Sequence, residues 1–233
     1  MMEHLYDTHF HLDLQKDRVA AIREIEQQQI YTIAVTNLPD LYRKESVELR
    51  NKYIRFALGF HPELIHLYKK QIPMMWDFLP RARYLGEIGL DFVDTTYKEE
   101  QIAFFSELIE RCRYDENKIL TIHSRRAVRH VLQIIGKNFK FKPILHWFTG
   151  SKGEIFDAID SGYYISVNNS MMTSKRFLSL LPSIPKDQLL LETDSPFNRK
   201  RESHSLMLSK TAQLIAEYQN DINLWDNFKA LLK

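Results

Sequence analysis

The stretch Asp7-Thr8-His9-Phe10-His11 decides how the rest of the chain is read. It closes an apolar run near residues 4–9 that reads as a β-strand. Side chains alternate faces along a strand, so His9 and His11, two residues apart, point the same way and can grip one ion from a single strand end. Four more candidate ligands stand in the same position relative to later runs. Glu87 lies in Gly86-Glu87-Ile88-Gly89-Leu90-Asp91 and His123 opens His123-Ser124-Arg125. His146 opens His146-Trp147-Phe148-Thr149-Gly150, and Asp194 lies in Glu192-Thr193-Asp194-Ser195-Pro196.

Working outward, short apolar runs alternate with segments of helical period. Strands are expected near 4–9, 31–36, 54–59, 84–88, 119–122, 143–146, 163–167 and 188–192. Helices are expected near 16–29, 40–52, 73–80, 98–114, 125–137, 152–161, 174–181 and 204–232. The fourth helix is clearest, with Ile102, Phe105, Leu108, Ile109 and Cys112 on one apolar face. Eight strand–helix units predict an α/β fold, a (β/α)8 TIM barrel of the metal-dependent hydrolase type. An open doubly wound sheet shows the same alternation, but only a closed barrel brings five separate strand ends to one point. No linker or low-complexity stretch divides residues 1–233, so one domain is expected.

Composition sets outer bounds. The 233 residues are 44% apolar with 7 Gly and 8 Pro, which excludes a fibrous or disordered chain. A formal charge of +2 leaves no global field to recruit nucleic acid, so a polyanion site must come from local clusters. The single cysteine, Cys112, excludes an intramolecular disulfide and a thiolate metal cluster. No signal peptide and no membrane-length apolar run is visible, so a cytoplasmic protein with no membrane partner is expected.

The donor set is imidazole and carboxylate without sulfur, which suits Zn, Mn, Ni, Fe or Mg. Six ligands are generous for one ion and natural for two. Two divalent ions roughly 3.5–4 Å apart clamp the attacking and leaving oxygens of a displacement, which is hydrolytic chemistry. Glu87 can bridge, and Asp194 can hold the attacking water or take its proton. Asp7 and Asp91 are placed to orient imidazoles as acceptors. His61, in Gly59-Phe60-His61-Pro62, falls on the same rim and can protonate a leaving oxygen or simply brace its loop. His4, His66, His130 and His204 read as ordinary packing or surface residues.

These motifs closely resemble the TatD family of metal-dependent deoxyribonucleases, barrels of the amidohydrolase superfamily. The likeness runs from Asp-Thr-His-Phe-His through Gly-Phe-His-Pro, Gly-Glu-Ile-Gly-Leu-Asp, Ile-His-Ser-Arg and His-Trp-Phe-Thr-Gly-Ser to Glu-Thr-Asp-Ser-Pro. It implies that His9, His11 and Asp194 hold one ion, His123 and His146 a second, with Glu87 between them. It implies phosphodiester hydrolysis on DNA, often exonucleolytic, with Mg, Mn or Zn as cofactor. Gly-Phe-His-Pro-Glu-Leu, Arg-Ala-Arg-Tyr-Leu-Gly-Glu-Ile-Gly-Leu-Asp and His-Ser-Arg-Arg-Ala are also similar to TatD-like members of Qat anti-phage systems, which implies neighbouring defence proteins as partners. The chain departs from the family after Asp194. There Asn198-Arg199-Lys200-Arg201-Glu202-Ser203 replaces an Arg-rich stretch ending in Asn-Glu-Pro.

Substrate contacts are expected from the rim. Basic residues follow several strands at Lys69, Lys70, Arg125, Arg126, Lys152, Lys175, Arg176, Arg199, Lys200 and Arg201, and can neutralise phosphates flanking a scissile bond. Arg125 and Arg199 are the preferred phosphate contacts. Trp147 is the preferred base-stacking residue, while Phe10 and Phe148 read as core. Two rival readings remain at this point. One is hydrolysis of an amide or ester, such as an aminoacyl-tRNA ester; the other is a partner-binding component of a defence complex.

Overall fold

A computed structural model describes residues 4–197 and 202–233. Eight parallel strands run in chain order: β1 (Tyr6–Phe10), β2 (Tyr31–Val35), β3 (Ile54–Ala57), β4 (Tyr84–Gly89), β5 (Ile119–His123), β6 (Lys142–Leu145), β7 (Tyr164–Val167) and β8 (Leu189–Leu191). Strands β1 to β3 pair as one run and β4 to β8 as another. Two seams join the runs into a barrel. At one, Leu58 N donates to Tyr84 O and Gly86 N to Leu58 O, each at 2.9 Å. At the other, Thr8 Oγ1 donates to Leu191 O and Asp194 N to His9 O, also at 2.9 Å.

The helices are α1 (Arg18–Gln27), α2 (Pro39–Glu48), α3 (Ile72–Phe78), α4 (Lys98–Cys112), α5 (Val128–Ile135), α6 (Lys152–Asp160), α7 (Lys175–Leu180), α8 (His204–Tyr218) and α9 (Leu224–Leu231). The single helix expected over 204–232 is two. Gln219 turns its amide inward to Leu181 O and Ile184 O at 2.6 and 3.0 Å, and Asp221 takes a φ of +57°. Asn223 then caps a fresh helix, accepting from Asp226 N. A polar side chain with buried acceptors and a left-handed residue together end a helical pattern that apolar spacing alone would continue.

The apolar face expected on α4 is buried at Phe105, Leu108, Ile109 and Cys112. Tyr6 at the foot of β1 stacks on Phe228 of α9 at 4.3 Å, so the last helix plugs the barrel bottom. The opposite, C-terminal ends of the strands are left for chemistry. There the backbones interlock closely. At Gly59 an added Cβ would sit 1.6 Å from Thr36 O and 2.6 Å from Glu87 N. Only glycine permits that approach, and through it Glu87 N reaches Thr36 O at 3.1 Å and Phe60 N reaches Glu87 O at 3.0 Å. Among the described residues no helix is long and apolar enough to cross a membrane.

Candidate metal centre

All six expected ligands meet at the C-terminal mouth of the barrel. His9 and His11 leave β1, Glu87 sits within β4, His123 ends β5, His146 follows β6 and Asp194 follows β8. Strand pairing shifts register between Asp7 and Phe10 and between Leu85 and Ile88, where His9 and Glu87 lie. Such irregularities re-aim side chains, and they recur near active sites. Asp194 and Trp147 hold φ values of +51° and +39°, unfavourable for side-chain-bearing residues.

Glu87 divides the site. Its Oε2 lies 3.6 Å from His9 Nε2 and 3.4 Å from His11 Nε2. Asp194 Oδ1 lies 3.6 and 3.3 Å from the same two nitrogens, which are 3.3 Å from each other. The other oxygen, Oε1, faces His123 Nδ1 at 2.5 Å, His146 Nε2 at 3.0 Å and His61 Nε2 at 3.5 Å.

The first group fits a cation. Ligands about 2.1 Å from a tetrahedral ion stand about 3.4 Å apart, and five of the six separations among these four atoms run from 3.3 to 3.6 Å. Asp194 Oδ1 is buried and has no hydrogen-bond donor, which is costly unless a positive charge satisfies it. His11, His9 and Asp194 form one possible ligand set; His61, Glu87 and His123 form another. A third combines His9 and His146 with Glu192. Glu192, however, already accepts from Trp147 N, Ser166 Oγ and Asn168 Nδ2, so it reads as a brace.

Charge follows the same division. Burial drives the Glu87 carboxyl upward, but His61, His123 and His146 outweigh it and hold it well below the ordinary carboxylate range. Burial also works to lower His11, yet Asp194 and Glu87 push it up to about 9. His9 moves the other way, lowered by burial and by the neighbouring His146. His146 itself is raised well above its usual value, the carboxylates of Glu87 and Glu192 overcoming burial. A pocket that gathers this many buried imidazoles and carboxylates is suited to bind dications.

For His123 and His9 the far nitrogen shows what orients the ring. His123 Nε2 lies 2.7 Å from Asp91 Oδ2, leaving its Nδ1 lone pair for the centre. Asp91 is thus the imidazole acceptor expected of it. Asp7 is not. Its carboxylate takes the backbone N–H groups of His9 and Thr193, the Thr193 hydroxyl and His204 Nε2. His204 packs on Phe10 and adds a hydrogen bond to Asp7, whereas His4, His66 and His130 pack against Trp225, Tyr97 and Phe92. The His9 ring is held by Thr121 Oγ1, 2.5 Å from its Nδ1. Thr121 and Glu192 were not anticipated. For Thr121 the available signal was parity, since it stands two residues before His123 on β5 and so faces the same way; Glu192 lies past the end of β8 and gave no such signal.

Above the ligands opens a cleft of about 890 Å³ lined by His61, Arg125, Trp147, Phe197 and the polar residues Asn37, Thr149, Asn169 and Thr173, among others. His61 braces its loop and turns its other nitrogen toward the site. Its Nδ1 accepts from Glu63 N at 3.3 Å, which places the ring proton on Nε2, aimed at Glu87. Arg125 is exposed and Trp147 half-buried, while Phe10 and Phe148 are core. Arg125 is the only one of the expected rim cations, among the described residues, that lines the cleft. Lys69 pairs with Glu100 at 2.8 Å, Arg176 binds Gly150 O, and Lys152 lies over Phe156. Arg199, with Lys200 and Arg201, lies outside the described residues.

Comparison with known proteins agrees with this geometry. A family model described as TatD related DNase matches residues 6–229. A 3'-5' ssDNA/RNA exonuclease TatD from Klebsiella pneumoniae is 33% identical over 180 residues, covering 72% of this chain and 66% of its own. An uncharacterized metal-dependent hydrolase of Methanocaldococcus jannaschii is 28% identical over 202 residues, 82% of this chain and 78% of its own. The crystal structure of YjjV, a TatD homologue from Escherichia coli, superposes with a TM-score of 0.80 at 21% identity, over 98% of this chain and 95% of that one, and so shares the barrel. The clustered buried imidazoles and carboxylates, the barrel that gathers them and the family match together place this chain in the TatD-related DNase family of metal-dependent hydrolases.

Proposed function

We propose that the chain is a two-metal phosphodiesterase acting on single-stranded DNA or DNA ends, with residues 1–233 as one hydrolase domain. The observation that carries this reading is the division of Glu87, one oxygen of which faces His9 and His11 and the other His123, His146 and His61. His9, His11 and Asp194 would hold one divalent ion and His123 and His146 the other, Glu87 joining both. Bound ions of this kind neutralise charge developing on a phosphoryl group and activate water. Around them the chain's own groups have distinct tasks. The Asp194 carboxylate accepts the proton of the attacking water. His61 Nε2–H hydrogen-bonds to the leaving oxygen and steadies the charge that develops there. Arg125 neutralises a flanking phosphate, and Trp147 offers a face to an unpaired base. Arg199 belongs to the same reading as a phosphate contact.

The test is cleavage of end-labelled single-stranded DNA with Mn or Mg against a Glu87→Ala control. Equal cleavage by both proteins ends the assignment. The K. pneumoniae relative, named for ssDNA/RNA exonuclease activity, supports nucleic acid over an amide or ester substrate. Steep loss of substrate affinity with salt is the matching expectation. The motif likeness to Qat systems supports a place in cytoplasmic anti-phage defence beside partner proteins, and the lone buried Cys112 suits a reducing compartment. Phage plating on cells carrying the neighbouring genes, with and without Glu87→Ala, tests that role; unchanged protection by the variant removes it.

A further inference from the structure

Asp7 is fully buried, lies two residues before the ligand His9, and is not itself a ligand. Four donors from three parts of the chain converge on its carboxylate. His9 N and Thr193 N reach Oδ1 at 2.9 and 3.1 Å; Thr193 Oγ1 and His204 Nε2 reach Oδ2 at 2.5 and 2.8 Å. Two of those parts are the strand ends that carry His9, His11 and Asp194. They are stitched together again by Asp194 N to His9 O at 2.9 Å and His11 N to Ser195 O at 3.1 Å.

His204 is the third part. It is the first residue of α8, 5% exposed, and its ring lies flat against Phe10 at 4.4 Å and 17°. Phe10 stands between His9 and His11. The ring is therefore held from two sides, by a hydrogen bond beneath His9 and by a face against the residue between the two histidines. The start of α8 is anchored independently. Ser203 caps Leu206 N, and Ser205 binds Glu24 through both N and Oγ. A fixed helix end thus presents a donor at a fixed place.

We propose that His204 is a positioning residue for the ion held by His9, His11 and Asp194, acting through Asp7. By supplying the fourth donor it orients a carboxylate that sets how far β1 stands from the Thr193–Asp194 turn. That distance decides whether four ligand atoms can surround one ion. The inference rests on the metal reading of the site but not on DNA as substrate.

Two substitutions separate the donor from the ring. His204→Gln keeps an N–H donor near the Nε2 position and loses the flat stack; His204→Phe keeps the stack and loses the donor. Calorimetric titration of metal-free protein with Mn reads ion affinity without any turnover. The expected result is weakening of one ion by about 10- to 100-fold in His204→Phe, with His204→Gln within about twofold of the parent. Parental affinity in His204→Phe overturns the proposal and leaves His204 a packing residue. Should His204→Phe not fold, Thr193→Val removes another donor from the same carboxylate with little change of shape. One weakened ion is again expected, and parental affinity again overturns the proposal. A parent protein that binds no Mn at all would instead sink the metal reading, so the two failures are distinct.

Discussion

Thr121→Val removes a single hydroxyl from beneath the metal centre and leaves a methyl group of nearly the same shape. Thr121 Oγ1 lies 2.5 Å from His9 Nδ1, and both residues are buried. When His9 turns its Nε2 lone pair toward an ion, the ring proton must sit on Nδ1, and Thr121 accepts it. Valine leaves that N–H buried without an acceptor, at a cost of about 1–3 kcal/mol. With RT near 0.59 kcal/mol, this is a loss of roughly 5- to 150-fold in ion affinity. The metal-free protein escapes most of the cost. Burial and His146 lower the His9 pKa, so the ring is neutral. It can then move its proton to Nε2, where Glu87 and Asp194 lie 3.6 Å away. Melting of the metal-free variant should therefore fall by no more than about 2–4 °C, the shift for about 1 kcal/mol in a chain of this size. Calorimetric titration with Mn or Zn and a thermal melt read the two quantities. Parental ion affinity beside a larger melting loss would refute the reasoning and make Thr121 a packing residue.

Two other perturbations probe the frame and the charge of the site. Gly59→Ala puts a Cβ 1.6 Å from Thr36 O and should cost more than about 4 kcal/mol, seen as insoluble protein or a collapsed melting point, whereas Gly153→Ala, with open space at its Cβ, should melt at or slightly above the parent. Comparable melting of the two would refute the interlock. The metal-free protein should lose stability between pH 6.5 and about 9. His11 is raised from 6.5 to about 9 by Asp194 and Glu87 against burial, so its contribution is whole below 6.5 and lost as pH rises through 9. Ion affinity should climb over the same interval, by up to about tenfold per pH unit for one displaced proton. Melting points that rise across that range would contradict this.

Some of this is readable in the chain itself. The period-2 rule placed His9 and His11 on one face, and the recurrence of ligand types after apolar runs predicted a barrel with one mouth. The helix break at Gln219 was not readable, because it depends on where Leu181 and Ile184 offer carbonyls. Nor was the silence of most rim cations, since Lys69 and Arg176 find their partners in other parts of the chain, Glu100 on α4 and the Gly150 carbonyl.

Local alternation along β1, then, determined that His9 and His11 would point the same way, because parity is set by the backbone alone. Which oxygen of Glu87 serves which imidazoles was decided only by closure of the barrel. So were the hydroxyl behind His9 and the helix end that steadies Asp7. These are distances between strand ends far apart in sequence, and they exist only once the β1–β8 seam has formed.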